Sequence, residues 1–331
     1  MNRLFDFIVA LVDLFMPRGC LACGRRLGIR ERHLCLSCAA DVPYTRFWLS
    51  PHNPLADRFN AVLERHRGTE PMDYAYAAAL IYYKGAYRSI PRALKYQGDL
   101  AAGRHFGALL GRRLAAAPHF ADIDLVIPVP LHWTRRRSRG YNQAEVLARA
   151  IVDAFRTTPP PVAPSSVTPS PVAAAPVPAA SDAPASATSS IGPTERWPVG
   201  AGHDDGPVVR TDLLIRVRRT RTQTRVSVDQ KAKNVASAFQ VPDRFSLSAR
   251  FVSTLKGEVP GSPATVLASA RHILLVDDTF TTGATLYACY AALRPHTSAR
   301  ISIATLAAVE GTPSGTGGPL SKPGDGSESG P

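Results

Sequence analysis

The segment from Ile273 to Thr285 places two acidic side chains and a turn rich in Thr and Gly directly after an apolar run. The run Ile273–Val276 predicts a buried parallel strand, so Asp277 and Asp278 follow at its carboxyl end, where open α/β sheets bind ligands. A helix that begins in the turn offers backbone N–H groups to an anion, and glycine lets the backbone approach a phosphate. Two carboxylates beside that phosphate can accept hydrogen bonds from ribose hydroxyls and help to hold Mg²⁺. The segment therefore predicts a sugar-phosphate site whose 5′-phosphate-binding residues are Thr281, Thr282, Gly283, Ala284 and Thr285.

An ordinary strand-to-helix turn with a Thr cap explains any one of these residues, but not the whole combination. No Lys follows the glycine and no G-x-G-x-x-G is present, so neither a Walker A loop nor a dinucleotide-binding loop is predicted. The combination resembles the phosphate loop of the type I phosphoribosyltransferases. This resemblance implies phosphoribosyl pyrophosphate (PRPP) as the ligand, with Asp277 and Asp278 at the ribose and Mg²⁺ and the turn at the 5′-phosphate.

Four cysteines near the N-terminus form two C-x₂-C pairs separated by a short segment rich in charge and Gly. Four thiolates at this spacing can surround Zn²⁺ in a tetrahedron, and a reducing cytoplasm disfavours the alternative of two disulfides. A Cys₄ site leaves no position for water, so the zinc is predicted to be structural. His33 is then expected at the surface, and Cys289 as a small core residue. The predicted ligands are Cys20, Cys23, Cys35 and Cys38.

Composition divides the chain into folded and unfolded parts. The hydrophobic content of 45% in 331 residues is ample for a packed core. Residues 157–207 are dominated by Pro, Ala and Ser, and residues 311–331 by Gly, Ser and Pro, so both are predicted to be disordered. Residues 1–18 have apolar residues at helical spacing and are too short to span a bilayer, which predicts an amphipathic helix. We expect a cytoplasmic protein with no transmembrane segment; association of this helix with a membrane surface is the alternative.

The net charge of +13 favours phosphorylated ligands or nucleic acid, although Arg-rich solvated faces are the plain alternative. Arg presents a planar set of donors that suits phosphate and pyrophosphate oxygens. One cluster, in a loop ahead of a helix, is predicted to bind pyrophosphate and consists of Arg135, Arg136, Arg137 and Arg139. Further candidates for contacts with phosphate or DNA are Lys95, Arg216, Arg218 and Arg221.

Apolar runs followed by helical patterns recur along the chain, which is typical of a parallel sheet with flanking helices. Besides the run at Ile273, the predicted strands are Tyr76–Tyr83, Leu125–Pro130, Leu213–Arg218 and Ile301–Ala308. Asn142 and Glu145 are predicted to cap a helix together.

These segments together resemble the ComF/ComFC family. The shared motifs are four N-terminal cysteines, N-P and R-F in the connector, L-K-Y, V-I-P-V-P-L-H-W with R-G-Y-N-Q-A, R-x-R-x-T-x-x-Q-T, N-V-x-x-A-F, and D-D-T-F-T-T-G-A-T. The resemblance implies an α/β fold of the type I phosphoribosyltransferase kind preceded by a zinc ribbon. It also implies handling of incoming single-stranded DNA in natural competence, with helicases and DNA-processing factors as partners. The predicted zinc ribbon and connector occupy residues 19–60, and the main domain residues 61–156 and 208–310.

Three functions follow from these features. The first is an enzyme of nucleotide metabolism that binds Mg²⁺-PRPP and transfers its ribosyl group. The sequence shows no element that would bind the acceptor. The second is a competence factor in which basic loops, Trp133 and Tyr141 contact single-stranded DNA. The third is a zinc-ribbon adaptor with a vestigial PRPP site. We expect a PRPP-binding protein of the second kind and leave turnover open.

Overall fold

Five parallel strands form the centre of the protein, in the order β1-β7-β6-β2-β3. The computed structural model describes residues 17–66, 73–159, 206–217, 238–244 and 262–311. The strands of this sheet are β1 (Ala77–Tyr82), β2 (Leu125–Pro128), β3 (Val208–Val209), β6 (His272–Phe280) and β7 (Arg300–Ala308). The α/β class, with a parallel sheet and flanking helices, is confirmed; the more specific phosphoribosyltransferase architecture stays a prediction.

Helices cover both faces of the sheet. The α-helices are α1 (Leu36–Ala40), α2 (Pro54–His66), α3 (Ser89–Arg92), α4 (Leu100–Ala115), α5 (Trp133–Arg139), α6 (Gln143–Thr157), α7 (Pro263–Ser269) and α8 (Ala284–Leu293). A single π-helical turn, Ala93–Gln97, joins α3 to α4. Short 3₁₀ turns occur at Phe47–Leu49, Gly85–Arg88, Pro118–Phe120 and Arg294–His296.

The strand β6 is buried on both faces, as its continuous apolar sequence predicts. Ile273 and Leu275 pack with the core residues of α2 and α8. Leu274 and Val276 alternate with them and pack with those of α4 and α6. The strand is longer than predicted, because its pairing with β7 continues as far as Phe280 opposite Ala308. The two acidic residues therefore lie within the strand, near its carboxyl end, and not after it.

Helices α4 and α6 pack closely because three glycines of α4 face α6. A Cβ atom added at Gly107 would lie 2.9 Å from the Cβ of Ala150, and one added at Gly111 would lie 2.7 Å from the carbonyl oxygen of Ile151. Gly103 similarly faces Leu94 and Val146. The spacing of four residues puts all three glycines on one helix face. This close approach fixes the position of α6, whose N-terminus lies at the carboxyl edge of the sheet.

The predicted third strand differs in the structure. Only β4 (Ile215–Arg216) forms within the described part of that segment, and it pairs antiparallel with β5 (Phe239–Gln240). The fifth place in the parallel sheet is taken instead by β3, which pairs with Leu125 and Val126 of β2. Leu213 and Leu214 are buried in the core, so the apolar run reflects burial and not membership of the main sheet.

The connector after the cysteine segment is fixed to the sheet by buried amide side chains. Asn53 accepts the N–H groups of Leu55 and Ala56 at the start of α2, and its Nδ2 donates to the carbonyl oxygen of Ala77 in β1. Asn60, about two turns later, exchanges two hydrogen bonds with the backbone of Ala75. The two asparagines therefore form hydrogen bonds with backbone groups of α2 and with backbone groups at the start of β1. The capping of α2 by Asn53 gives the N-P motif of the connector a structural role.

A hydrogen-bonded chain of three side chains lies at the amino edge of the sheet. The Nδ1 of His272 lies 2.6 Å from an Asp122 oxygen, and its Nε2 lies 2.8 Å from the hydroxyl of Ser302. Burial acts to raise the pKa of Asp122, but the bond with His272 and the charge of Arg300 outweigh it and hold that pKa below its ordinary value. His272 and Ser302 are fully buried, so they connect β6 and β7, whereas the side chain of Asp122 at the end of the chain is 59% exposed.

Several predictions fall on residues outside the described ranges. They include most of the N-terminal helix (1–18), most of the Pro/Ala/Ser-rich segment (157–207), of which Thr157 belongs to α6, nearly all of the C-terminal tail (311–331), and the end of the predicted strand at Arg218. Among the residues that the structure describes, no helix is long and apolar enough to cross a membrane.

The glycine contact between α4 and α6 predicts the sign of the change in the free energy of unfolding when one glycine is replaced. Helix propensity alone would make Gly111→Ala stabilising by about 1 kcal/mol. Since the new methyl group meets backbone atoms of Ile151, we expect instead a loss of about 1–3 kcal/mol in the free energy of unfolding, measured by urea denaturation. Ala101→Gly, at an exposed position of the same helix, should cost only the propensity difference. If Gly111→Ala is instead more stable than the wild type, α6 must be able to move away from α4 and make room for the methyl group.

Candidate functional site

The two acidic residues of β6 lie against Lys95, which comes from the segment between α3 and α4. The Nζ of Lys95 lies 2.8 Å from an oxygen of Asp278, and 3.4 Å from the hydroxyl of Thr279. The side chains of Lys95 and Asp278 are only 27% and 11% exposed. A pair this shielded from water is stronger than a surface ion pair, and it ties the turn before α4 to the carboxyl end of β6.

Asp277 is held close to its neighbour and is harder to ionise. Burial and the adjacent Asp278 carboxylate raise the pKa of Asp277 to about 7. The backbone N–H of Asp278 donates to Asp277 at 2.8 Å and, with the charges of Lys95 and Arg216, opposes that rise. Two carboxylates that repel each other beside two cations form a site that can accept hydroxyl donors or a further cation.

Lys95 reaches this position from the π-helical turn Ala93–Gln97. π-Helical turns are rare and occur often at functional sites, because they change the direction in which a side chain points. Burial acts to lower the pKa of Lys95, but the carboxylates of Asp278 and Asp277 raise it above its ordinary value. The lysine therefore carries its charge at neutral pH. The sequence suggested Lys95 as a phosphate or DNA contact; in the structure its nearest partner is Asp278.

The turn after β6 forms a small pocket of about 30 Å³, lined by residues from Asp277 to Leu286. Gly283 has φ +79°, a conformation that other residues rarely adopt, and α8 begins directly after it at Ala284. Thr281 and Thr282 are exposed in the turn and not part of the helix that was predicted to start there. The first N–H groups of α8 have no partner within the helix and point toward this turn. The predicted phosphate-binding residues are thus brought together.

Arg58 of α2 supports the turn from behind. One guanidinium nitrogen donates to the carbonyl oxygen of Thr281 at 2.8 Å, and the other donates to that of Val309 at 2.6 Å. Its Cζ lies 5.2 Å from the centre of the Phe280 ring. These contacts join α2, the turn and the end of β7. The R-F motif of the connector therefore has a role in shaping the site, which sequence spacing alone did not indicate.

The first arginine cluster was predicted in a loop, but it forms the short helix α5. His132 caps this helix by accepting the N–H of Thr134, which lets the arginines continue as a helical turn. The pKa of Arg216 is lowered by burial and by the charge of Arg135. Arg136 lies 4.0 Å from Glu145, so it is directed toward α6. Arg137 is exposed.

Arg139, at the end of α5, packs on an exposed aromatic ring. Its Cζ lies 5.3 Å from the centre of Tyr96, the residue next to Lys95. Tyr96 and Trp133 are 73% and 66% exposed, whereas Tyr141 is half-buried and donates its hydroxyl to the carbonyl oxygen of Leu94. The exposed ring beside the site is thus Tyr96, which sequence reasoning did not single out. Its place after Lys95 in the L-K-Y motif is the signal that could have identified it.

Arg216 joins the basic residues to the acidic pair. It lies on β4 with its Cζ 5.1 Å from the centre of the Phe239 ring of β5. Its charge acts on the pKa of Asp277, which places it at the same end of the site. Arg218 and Arg221 lie outside the described residues. The structure therefore brings Lys95 against Asp278, and the charge of Arg216 acts on Asp277.

The start of α6 carries two polar residues, the cap Asn142 and the buried Gln143, of which only Asn142 was singled out from the sequence. Asn142 caps α6 by accepting the N–H of Ala144 and donates to the carbonyl oxygen of Val129 after β2. Glu145 does not complete the predicted capping pair, since it bonds to Arg149. Gln143 is 1% exposed, and its Nε2 has no hydrogen-bond partner among the described residues. Buried amide donors without a hydrogen-bond partner are rare in native proteins.

The second candidate site is formed by the four N-terminal cysteines. Their sulfur atoms all lie within 4.8 Å of one another, so they can hold a metal ion such as zinc. The N–H of Cys35 donates to the sulfur of Cys20 at 3.3 Å, a contact that favours a thiolate. Burial acts to raise the pKa of Cys20, but N–H groups of Cys23, Cys35 and Ala22 outweigh it and bring that pKa to about 6.

The cysteine segment packs on the main domain, and His33 lies in this contact and not at the surface as predicted. Its ring centre lies 5.0 Å from that of His105 and 6.1 Å from that of Phe106, both on α4. Burial lowers the pKa of both histidines. Cys289 is fully buried in α8, as predicted, and burial holds its pKa well above the ordinary value.

Comparison of the chain with models of known protein families and with curated proteins finds no match. The geometry of the two sites therefore carries the functional argument.

The cysteine cluster predicts metal content that depends on the thiolates. We expect the purified protein to hold one tightly bound metal ion per chain, with zinc as the main species, by elemental analysis. Cys35→Ser should lose this ion and unfold at a lower temperature, because a structural site contributes to folding directly. Cys289→Ser, which changes a cysteine outside the cluster, should keep the metal. Full metal content in Cys35→Ser would rule out the four-cysteine site.

Proposed function

We propose that this chain is a ComF-type protein that binds PRPP with Mg²⁺ and acts on incoming single-stranded DNA in natural competence. The observation that carries the proposal is the junction of β6 and α8, where Asp277 and Asp278 adjoin a Thr/Gly turn and face Lys95. This combination supplies acceptors for ribose hydroxyls and donors for a phosphate within a few residues. The metal held by the cysteines is proposed to be Zn²⁺ with a structural role, and the location to be the cytoplasm.

In this proposal each group of the site has a separate task. The exposed hydroxyls of Thr281 and Thr282, with the first N–H groups of α8, bind the 5′-phosphate. The carboxylates of Asp277 and Asp278 accept hydrogen bonds from the ribose hydroxyls. Their oxygen atoms are also the ligand type that Mg²⁺ prefers, and this ion, when bound, neutralises charge on the pyrophosphate. Lys95 holds Asp278 in place and keeps the pair from carrying two uncompensated charges.

The basic residues would serve the pyrophosphate and the nucleic acid. The charge of Arg135 lowers the pKa of Arg216, and an anion bound by both would relieve this repulsion. Arg139 on Tyr96, with the exposed Trp133, offers a cation and two rings on which bases of a single strand can stack. Trp133 and Arg139 lie at the two ends of α5 and Arg135 lies between them, so one short helix would connect PRPP with DNA.

The proposal predicts that PRPP binding depends on the acidic pair. In calorimetric titrations with Mg²⁺, the wild-type protein should bind PRPP, and Asp278→Asn should bind it at least about tenfold more weakly, a change of about 1.4 kcal/mol. Asp243→Asn removes a carboxylate at an exposed position and should leave the affinity unchanged. The absence of binding heat with the wild-type protein would favour the adaptor alternative, in which the site is vestigial.

The proposal also predicts where single-stranded DNA binds. Affinity for an oligonucleotide, measured by fluorescence anisotropy, should fall steeply with salt because Arg contacts release counterions. Tyr96→Ala and Trp133→Ala should weaken binding by about 1–3 kcal/mol for each lost stacking contact. Tyr44→Ala changes an exposed ring on the cysteine side of the chain and serves as the control. Equal losses for all three variants, or none, would contradict the placement of DNA along α5.

A further inference from the structure

The cysteine cluster and the acidic pair are connected by one continuous helical segment of the chain. The 3₁₀ turn Gly85–Arg88 runs into α3, and α3 runs into the π-helical turn Ala93–Gln97, with right-handed helical backbone angles at each junction. We call Gly85–Gln97 the linking segment. Tyr87 lies near its start and Lys95 near its end, about two helical turns and about 12 Å apart along the axis. Rigid helical elements can transmit a change between two sites, so the position of Tyr87 bears on that of Lys95.

Tyr87 holds the start of the linking segment to the cysteine cluster. Its hydroxyl donates to the carbonyl oxygen of Cys38 at 2.9 Å. Its half-buried ring packs against a hydrophobic cluster that contains two of the four cysteines. Ile90 and Leu94, further along the segment, are buried in the same hydrophobic cluster. One face of the linking segment therefore packs on the cysteine side of the core, while Lys95 reaches the acidic pair.

Cys38 lies in a helix that has little support of its own. Helix α1 has five residues, none of them buried, and no side-chain cap at its N-terminus. Helices this short are not stable without tertiary contacts. The sulfur atoms of Cys35 and Cys38, at the start of this helix and within it, are two of the four that can hold a metal ion. A bound metal would thus fix α1, and with it the carbonyl oxygen that accepts the Tyr87 hydroxyl.

We propose that Tyr87 couples metal binding at the cysteine cluster to ligand binding at the acidic pair. With the metal bound, Cys38 holds Tyr87, the linking segment keeps its place, and Lys95 stays against Asp278. Without the metal, the segment loses this anchor and Lys95 leaves Asp278 more often, so the charge of the two carboxylates is less well compensated. Tyr87 is thus a positioning residue that acts through Lys95. The inference rests on the proposed function only in its choice of PRPP as the ligand whose affinity changes.

The first test follows amide hydrogen exchange by mass spectrometry on the full chain, with the metal bound and after its removal by a zinc-selective chelator. Metal removal from the wild-type protein should speed exchange of the amides in Ala93–Gln97 at least about tenfold, because local opening becomes easier. Tyr87→Phe keeps the ring but loses the hydroxyl, so it should hold its metal and still show this faster exchange in the loaded protein. Tyr74→Phe removes a hydroxyl that donates to Asp57 in another part of the chain, and it should exchange as the wild type does.

Exchange in β6 provides the internal reference for this test. If it stays slow after metal removal, the change at Ala93–Gln97 is local, as the coupling requires. If it rises as well, the stripped chain has unfolded, and the loaded Tyr87→Phe protein alone decides. Unchanged exchange at Ala93–Gln97 in the stripped wild type, or wild-type exchange in loaded Tyr87→Phe, would overturn the inference.

The second test measures the coupling as a change in affinity. In calorimetric titrations with Mg²⁺, the metal-loaded wild-type protein should bind PRPP at least about tenfold more tightly than the stripped protein. Since coupling between two sites is reciprocal, PRPP should strengthen the retention of the metal against the chelator by the same factor. Tyr87→Phe should lose most of both effects, and Tyr74→Phe should keep them.

The outcomes of the second test separate this inference from the proposed function. Equal PRPP affinity with and without the metal refutes the coupling and leaves the proposed function standing. No PRPP binding to either form refutes the proposed function, and the exchange measurement then decides the coupling by itself.

Discussion

The short contact between Lys95 and Asp278 constrains most of what surrounds the acidic pair. Two carboxylates on adjacent residues of a buried strand repel each other and lose the solvation of water, so an isolated pair would oppose folding. A lysine that reaches the pair at 2.8 Å offsets this cost. To do so, the chain between α3 and α4 must adopt a π-helical turn, and α4 must pack against α6 closely enough to hold it there. The glycines of α4 provide that approach.

The sheet has two edges with different properties. At the amino edge, His272 joins Asp122 and Ser302 in a chain of hydrogen bonds whose two strand residues, His272 and Ser302, are fully buried. At the carboxyl edge, polar groups face the pocket at the Thr/Gly turn, and Asp277 has its pKa raised to about 7. Similar residue types are therefore structural at one edge and available for chemistry at the other. The difference comes from the space around them.

The parts of the fold that depend on local pattern were predictable. The buried strands, the acidic pair with its Thr/Gly turn, and the four-cysteine cluster follow from short segments whose physical meaning is local. Contacts between distant segments were not. Nothing in the spacing of Arg58 shows that it holds Thr281, and nothing near Lys95 shows that it reaches Asp278, since both contacts depend on how the helices return to the sheet. The end of β6 and the helix at the first arginine cluster were misplaced because pairing with β7 and capping by His132 override the local sequence.

The attachment points of the Pro/Ala/Ser-rich segment have a consequence for how this protein can change. Helix α6 starts at the carboxyl edge and runs back across the sheet to Thr157, and β3 begins at Val208 beside β2. A methyl group added at Gly206 would lie 3.6 Å from Cγ of Arg156, so the two ends of the segment are neighbours. Sequence can therefore be gained, lost or replaced between them without moving the pocket at the Thr/Gly turn. This junction is a natural position for grafting a reporter or a second domain while leaving the carboxyl edge of the sheet intact.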